Sequence, residues 1–302
     1  MDDNKHRAAE ELQFPPAKQS LLQRAATRGK RIRHRIEQAR ERSKVVDVGF
    51  TAIERDSEIG GGLLAGALAY RLFLFALPLG FFLVSTLGLV AEALGRDPQE
   101  VGEDAGLAGL VTKQVATAAG GSSNLWVALS SFFLLVYVTR DLYRGFAVVH
   151  ALAWERSAAL VKVPLRSLGI FDVCVACQLA LVALVGLARN ESRAGGIAAL
   201  LVATVAVAGI WLTVSLRMPH STAKWRDLVP GSLLYAVGFL GVQVFNVYVL
   251  GRVLESKSST YGTLGIAAAV LLSLFLIGRL AVAATVLNAT LFERRTGHPA
   301  PA

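Results

Sequence analysis

Two arginines interrupt stretches that are otherwise built for oil. Arg71 lies in LAYRLFLFALPLGFF, residues 68–82, and Arg279 lies in LFLIGRLAVAA, residues 274–284. An arginine near the centre of a membrane helix costs about 2.5–3.5 kcal/mol on insertion scales, so an anion must offset it. Further polar groups accompany them. Arg140 and Arg144 are spaced i and i+4 and share a helix face, with Asp141 beside them. Asp172 and Gln178 open another apolar run, Gln243 and Asn246 stand one turn apart in a later one, and Asn288 closes the last. Two arrangements fit these residue types. In one, Asp141 and Asp172 neutralise Arg71 and Arg279 as fixed inter-helix ion pairs. In the other, the four arginines outnumber the two aspartates in a water-filled cavity open to the cytoplasm, where guanidinium forks hold an anionic group such as a lipid phosphate.

Other chemistry has little to build on. There is no phosphate-loop lysine motif, no HExxH, no nucleophile elbow and no carboxylate cluster for two metals, so neither an enzyme nor a cofactor is expected. GGGLLAG at 60–66 is glycine-rich, but it opens an apolar run and follows no strand. Cys174 and Cys177 both fall in an apolar run, where a low-pKa redox pair is disfavoured. The five histidines are scattered, and no metal site is readable.

The elements that must position these groups are membrane helices. Hydrophobic residues make up 54% of the 302-residue chain and charged residues only 18%, the composition of a multi-spanning membrane protein. With about 20 apolar residues needed per crossing, six spans are expected, at about 62–90, 124–149, 167–188, 194–216, 229–250 and 264–291. The fold class is therefore all-α and polytopic, with a basic tail at 1–58, a membrane domain at 59–292 and a short tail at 293–302. Of the 31 Lys and Arg, 23 fall on one side of this six-span arrangement and 6 on the other, which by the positive-inside rule makes both termini cytoplasmic. The first apolar stretch is too long for a signal-peptide core and is expected to act as its own targeting signal. A bacterial inner membrane suits a short multi-pass chain with a basic tail.

Residues 17–44 carry ten Lys or Arg against two Glu along a loose apolar stripe, which suits a basic helix resting on anionic headgroups. Without interleaved aromatics or a recognition fold, nucleic acid is not an expected partner. Leu107, Leu110, Val111 and Val115 recur at helical spacing in the long loop 91–123, suggesting a surface helix. Pro78 frees the carbonyl of Leu74 and is expected to kink the first span two turns above Arg71. Gly62 and Gly66, extended by Ala65 and Ala69, suggest close helix packing, within the chain or in a homo-oligomer.

Several segments in order resemble the YihY/BrkB family of bacterial inner-membrane proteins: GALAYRLFLFALPL (66–79), LYRGFAVVHALAW (142–154), MPHSTAKWRDLVPGSLL (218–234), YGTLG (261–265) and ATVLNATLF (284–292). The resemblance covers most of residues 50–293 and implies a six-span helical fold. It implies no established activity: an old ribonuclease label is regarded as mistaken, and some members are linked to export of envelope lipids. Where many relatives read GAELNA, this chain has ATVLNA with Val286 in place of the glutamate, and His150 replaces a common asparagine. Any proton or ion coupling through that glutamate is absent here. Arg71 is placed in the cavity on physical grounds, not by the resemblance.

The expected function is transport or translocation of an anionic lipid or other envelope amphiphile. Arg71, Arg140, Arg144 and Arg279 would face the headgroup with Asp141, Asp172, Gln243 and Asn246, and Pro78 would allow flexing. The alternative is a non-transporting scaffold whose basic tail binds anionic lipid or a cytoplasmic partner.

Overall fold

The structure, a computed structural model of the chain, describes residues 43–95, 123–158, 161, 163–191, 193–246 and 251–297. The expected basic helix at 17–44 falls almost wholly outside these residues, and the loop helix around 107–115 wholly outside. The chain divides into two compact units, Met1–Thr51 and Ala52–Ala302. In the first, the described residues form the opening turns of a helix in which Thr51 Oγ1 donates to Asp47 O at 2.9 Å. The second unit holds the membrane domain.

Every described element is helical: α1 (Lys44–Glu58), α2 (Gly61–Leu94), α3 (Ser123–Ala153), α4 (Leu165–Glu191), α5 (Arg193–Arg217), α6 (Trp225–Phe245) and α7 (Gly251–Thr296). Six stretches, one each in α2 to α7, are long and apolar enough to cross a membrane. The fold is therefore an all-α, six-span membrane protein. α2 runs without interruption through Pro78. The largest departure from the expected boundaries is α7, which begins at Gly251 rather than near 264. Hydropathy ends the span where ESKSSTYGT turns polar, but a helical backbone needs no apolar side chains to continue. α6 likewise starts four residues early, at Trp225, because Asp227 accepts from Lys224 N at 2.9 Å and caps the first turn.

The six helices form a ring. α2 packs on α3 and α7, α7 on α6, α6 on α5 and α5 on α4, while α4 closes the ring against α3 through sparse contacts. Two backbone approaches set the tightest joints. A Cβ at Gly278 would lie 2.8 Å from Ala65 O, joining α7 to α2, and one at Gly231 would lie 2.2 Å from Ala284 O, joining α6 to α7. The small-residue seam on α2 thus runs along the buried Ala65 and Ala69; Gly62 and Gly66 face open space. Spacing found the small residues, but which of them meet a neighbour depends on the face α2 turns inward.

The core lies at one end of the ring, called here the base, where α3 and α7 finish. Along α3, only Ala128 and Ser131 are buried between Leu125 and Tyr137, whereas Leu142, Tyr143, Phe146, Ala147, Val149, His150, Ala151 and Ala153 are buried beyond it. Aromatic rings fill the interior there. Trp211 stacks on Tyr235 with centroids 3.9 Å apart, Phe146 meets both Phe171 and Trp211 edge-on or tilted, and Trp154 packs on Phe292.

Candidate functional site

At 3.6 residues per turn, α3 divides into two faces below Tyr137. Leu142, Phe146 and His150 turn into the core; Arg140, Asp141 and Arg144 fall on the opposite side and are exposed. Arg71 reaches this side from α2. Its Nη1 donates to Asp141 O at 3.0 Å and its Nε lies 3.4 Å from Asp141 Oδ2, with the two side chains 31% and 48% exposed. Gly145, one turn below, makes room for it, since a Cβ there would meet Arg71 Nη1 at 2.7 Å and Cδ at 2.9 Å. Asp172, exposed on α4, lies beside the Thr139 hydroxyl of α3. The Thr139 proton goes to Leu135 O at 2.8 Å. These contacts bring Arg71, Arg140, Asp141, Arg144 and Asp172 to one level on three neighbouring helices. Arg71 is matched by Asp141. Among the described residues, Arg140 and Arg144 have no ion-pair partner.

Arg279 is held elsewhere. Its guanidinium makes a two-pronged bond to Asp56 of α1, Nη1 to Oδ1 at 2.6 Å and Nη2 to Oδ2 at 2.5 Å, with side chains 39% and 12% exposed. Its partner is therefore neither Asp141 nor Asp172. The preceding residue, Arg55, is buried and bridges two acids at the base, Glu155 at 3.1 Å and Glu293. Glu155 occupies the left-handed C′ position after α3, with φ of 52°. Arg156 N donates to Ala151 O at 2.7 Å and Glu155 N to Leu152 O at 3.1 Å, the two bonds of a Schellman stop. Glycine is usual at such a position; here a glutamate fills it and its carboxylate reaches Arg55. Arg295 pairs with the buried Asp227, adding a further ion pair at this end.

Two buried polar side chains stitch the core. Asn288 accepts from Gly231 N at 2.7 Å and donates to Leu228 O at 3.1 Å, holding α6 where Pro230 lacks an N–H. His150 Nδ1 faces Phe146 O at 3.0 Å, which makes Nδ1 the protonated nitrogen, and Nε2 looks toward Thr285 Oγ1 at 3.4 Å. The remaining expected site residues lie farther from the base. Asn246 accepts from Ser273 Oγ at 2.7 Å, and Gln243 is twelve residues beyond Gly231, ~18 Å along α6.

The structure thus brings together Arg71, Asp141, Arg140, Arg144 and Asp172, and separates them from Arg279 and from Gln243 and Asn246. The interior of the ring at the base is packed with aromatic and aliphatic side chains, and the arginine pair on α3 faces outward from it. Sequence reasoning missed Asp56, Arg55, Glu155 and Glu293, all assigned to tails or connectors. The Arg55-Asp56 dipeptide just before the glycines at 60–62 was the signal available.

A family model described as virulence factor BrkB matches residues 52–302. No curated protein and no solved structure matches the chain.

Proposed function

Since this six-span chain belongs to the virulence factor BrkB family, we propose that it is a non-enzymatic, multi-pass protein of a bacterial inner membrane that binds an anionic lipid headgroup and moves the lipid across the bilayer. One observation carries this function. Arg140 and Arg144 are exposed, one turn apart and without an ion-pair partner among the described residues, immediately below the exposed apolar side chains that end at Tyr137. A phosphate between two guanidinium groups on adjacent turns would receive charge-assisted bonds from both. Arg71 and Arg279, by contrast, already have carboxylate partners and act as inter-helix fasteners.

A second function, a non-transporting scaffold, is favoured by a different observation: ion pairs tie α1 to α3 and α7 at the base. The two separate in proteoliposomes containing a fluorescent anionic lipid. Translocation requires that wild type move the lipid and that Arg140→Gln/Arg144→Gln slow it at least tenfold while folding and reconstituting normally. A wild type that moves no lipid of any headgroup charge overturns translocation and leaves the scaffold.

A further inference from the structure

One stripe of α3 changes character partway along its length. Thr139, Tyr143 and Phe146 follow one another at helical spacing and are at most 5% exposed. They are covered by α4: Tyr143 and Phe146 meet the Phe171 ring, and Thr139 lies beside Asp172. Continued away from the base at the same spacing of three and four, the stripe becomes Val136, Phe132, Leu129 and Leu125, and these are 41–53% exposed. α4 shows the same change. Leu168 and Phe171 are buried and Val175 is half-buried, whereas Leu179 and Val182, four and seven residues farther on, are 39% and 42% exposed. The face that joins the two helices at the base is the face left open above it, so α3 and α4 diverge from their joint as the two sides of a wedge.

The wedge is closed at its foot by the Tyr143–Phe171 contact, and α2 flanks it, since the Phe82 ring comes within 6.0 Å of the Phe132 ring. From Val136 to Leu125 it rises 11 residues, ~16 Å of helix, which is about one leaflet of a hydrocarbon core ~30 Å thick. Leucine, valine and phenylalanine side chains give water little to bond to, and walls that face a gap forfeit their dispersion contacts. A hydrocarbon chain restores those contacts. The charge beside the foot fits the same molecule. Arg140 stands one turn below Val136 and Arg144 one turn lower, both exposed and without an ion-pair partner among the described residues. A phosphate held there would start its chains at the height of Val136.

We infer that the wedge between α3 and α4 seats an acyl chain of a membrane phospholipid, entered sideways from the bilayer, with the chain rising from Val136 toward Leu125. The inference rests on the proposed headgroup site at Arg140 and Arg144 and adds where the chain of the same lipid goes. A single lipid-facing helix touches a chain on one side and exchanges it freely. The wedge touches it on two, and a lipid gripped at both phosphate and chain has a fixed orientation.

Photo-crosslinking tests the seat without any transport assay. Full-length protein is reconstituted in phosphatidylcholine vesicles containing a phosphatidylglycerol that carries a diazirine partway along one acyl chain, and labelled residues are mapped by mass spectrometry. Val205 on α5 is the reference. It is more exposed than any residue of the wedge, and it stands at about the height of Phe132, because Tyr143 Oη donates to Arg217 O at 3.0 Å and the two lie 11 and 12 residues along their helices from that bond. Labelling at Phe132, Val136, Leu179 and Val182 is expected to exceed that at Val205 several-fold. Val136→Trp, which fills the wedge from α3, should lower labelling at Val182 several-fold and leave Val205 unchanged. Labelling of the wedge no stronger than Val205 would mean ordinary solvation by lipid, or cover by a second copy of the chain if it is weaker, and either result overturns the inference. An unchanged Val182 signal in Val136→Trp would put the two residues on separate surfaces and overturn it as well. Enrichment that survives Arg140→Gln/Arg144→Gln undiminished would uphold the chain seat and sink the headgroup site instead.

Discussion

Arg71 occupies the space where a side chain on Gly145 would be. The guanidinium of one helix and the missing Cβ of the next are a matched pair, with 2.7 Å between Nη1 and the position a Cβ would take. Gly145→Ala should therefore displace Arg71 from Asp141 and destabilise the protein by about 1–3 kcal/mol, the usual range for overpacking. Thermal melts in detergent would check this. In an Arg71→Ala background the same change should cost far less, because the two positions share one volume.

Arg279 and Asp56 form a two-pronged pair that removal of either partner would leave as a lone charge. Complete burial would make that loss about 3–5 kcal/mol; with Arg279 at 39% exposed, water screens part of it and a loss of about 1–3 kcal/mol is expected for Arg279→Gln or Asp56→Asn. The double variant should be less destabilised than the sum of the singles, as a double-mutant cycle would measure.

Glu155 allows backbone and side chain to be weighed separately. Glu155→Ala loses the bond to Arg55 and keeps a left-handed residue with a Cβ; Glu155→Gly loses the same bond and relieves the backbone. The glycine variant should be more stable than the alanine variant by about 1 kcal/mol. Equal stabilities would show that the left-handed turn opens once Arg55 is released.

Asn288→Leu should leave Gly231 N without its side-chain acceptor in the core, at about 1–3 kcal/mol, while Leu228 O keeps the bond it accepts from Ser232 Oγ at 2.8 Å. Asn288→Asp keeps an acceptor for Gly231 N, but ionised it sets a charge against Leu228 O, and holding it protonated so that it can donate there costs free energy at neutral pH. It should be little better. Denaturant-free unfolding rates in detergent would rank the two.

Arg140→Lys/Arg144→Lys distinguishes a point charge from a fork. Stability should stay within about 0.5 kcal/mol of wild type, since both side chains are exposed. If a phosphate is gripped by both guanidinium groups, anionic-lipid translocation should fall several-fold despite the retained charge; a scaffold would be indifferent.

Hydropathy revealed the six spans because a membrane allows few backbone solutions, and a run of 20 apolar residues is hard to mistake. The closeness of Arg71 to Asp141 was legible as well, since both lay at similar expected depth. The partner of Arg279 was not. Asp56 precedes the first apolar span, and a linear count assigned it to a tail, whereas in space the turn at Gly60 brings it against α7. Helix faces were the other loss. Spacing put Arg140 and Arg144 on one side of α3, yet whether that side looks inward depends on where Phe146 and His150 find aromatic neighbours, which no single helix encodes.

α7 has 46 residues and is ~69 Å long, more than twice the thickness of a hydrocarbon core. It is also the helix that touches α2, α3 and α6 together. A rod of that length clamped near one end is a lever. Tilting it by one degree about its base would sweep the opposite tip through ~1.2 Å, so an adjustment at Asn288 or Arg279 too small to disturb packing would arrive at Gly251 as a displacement the size of an atom.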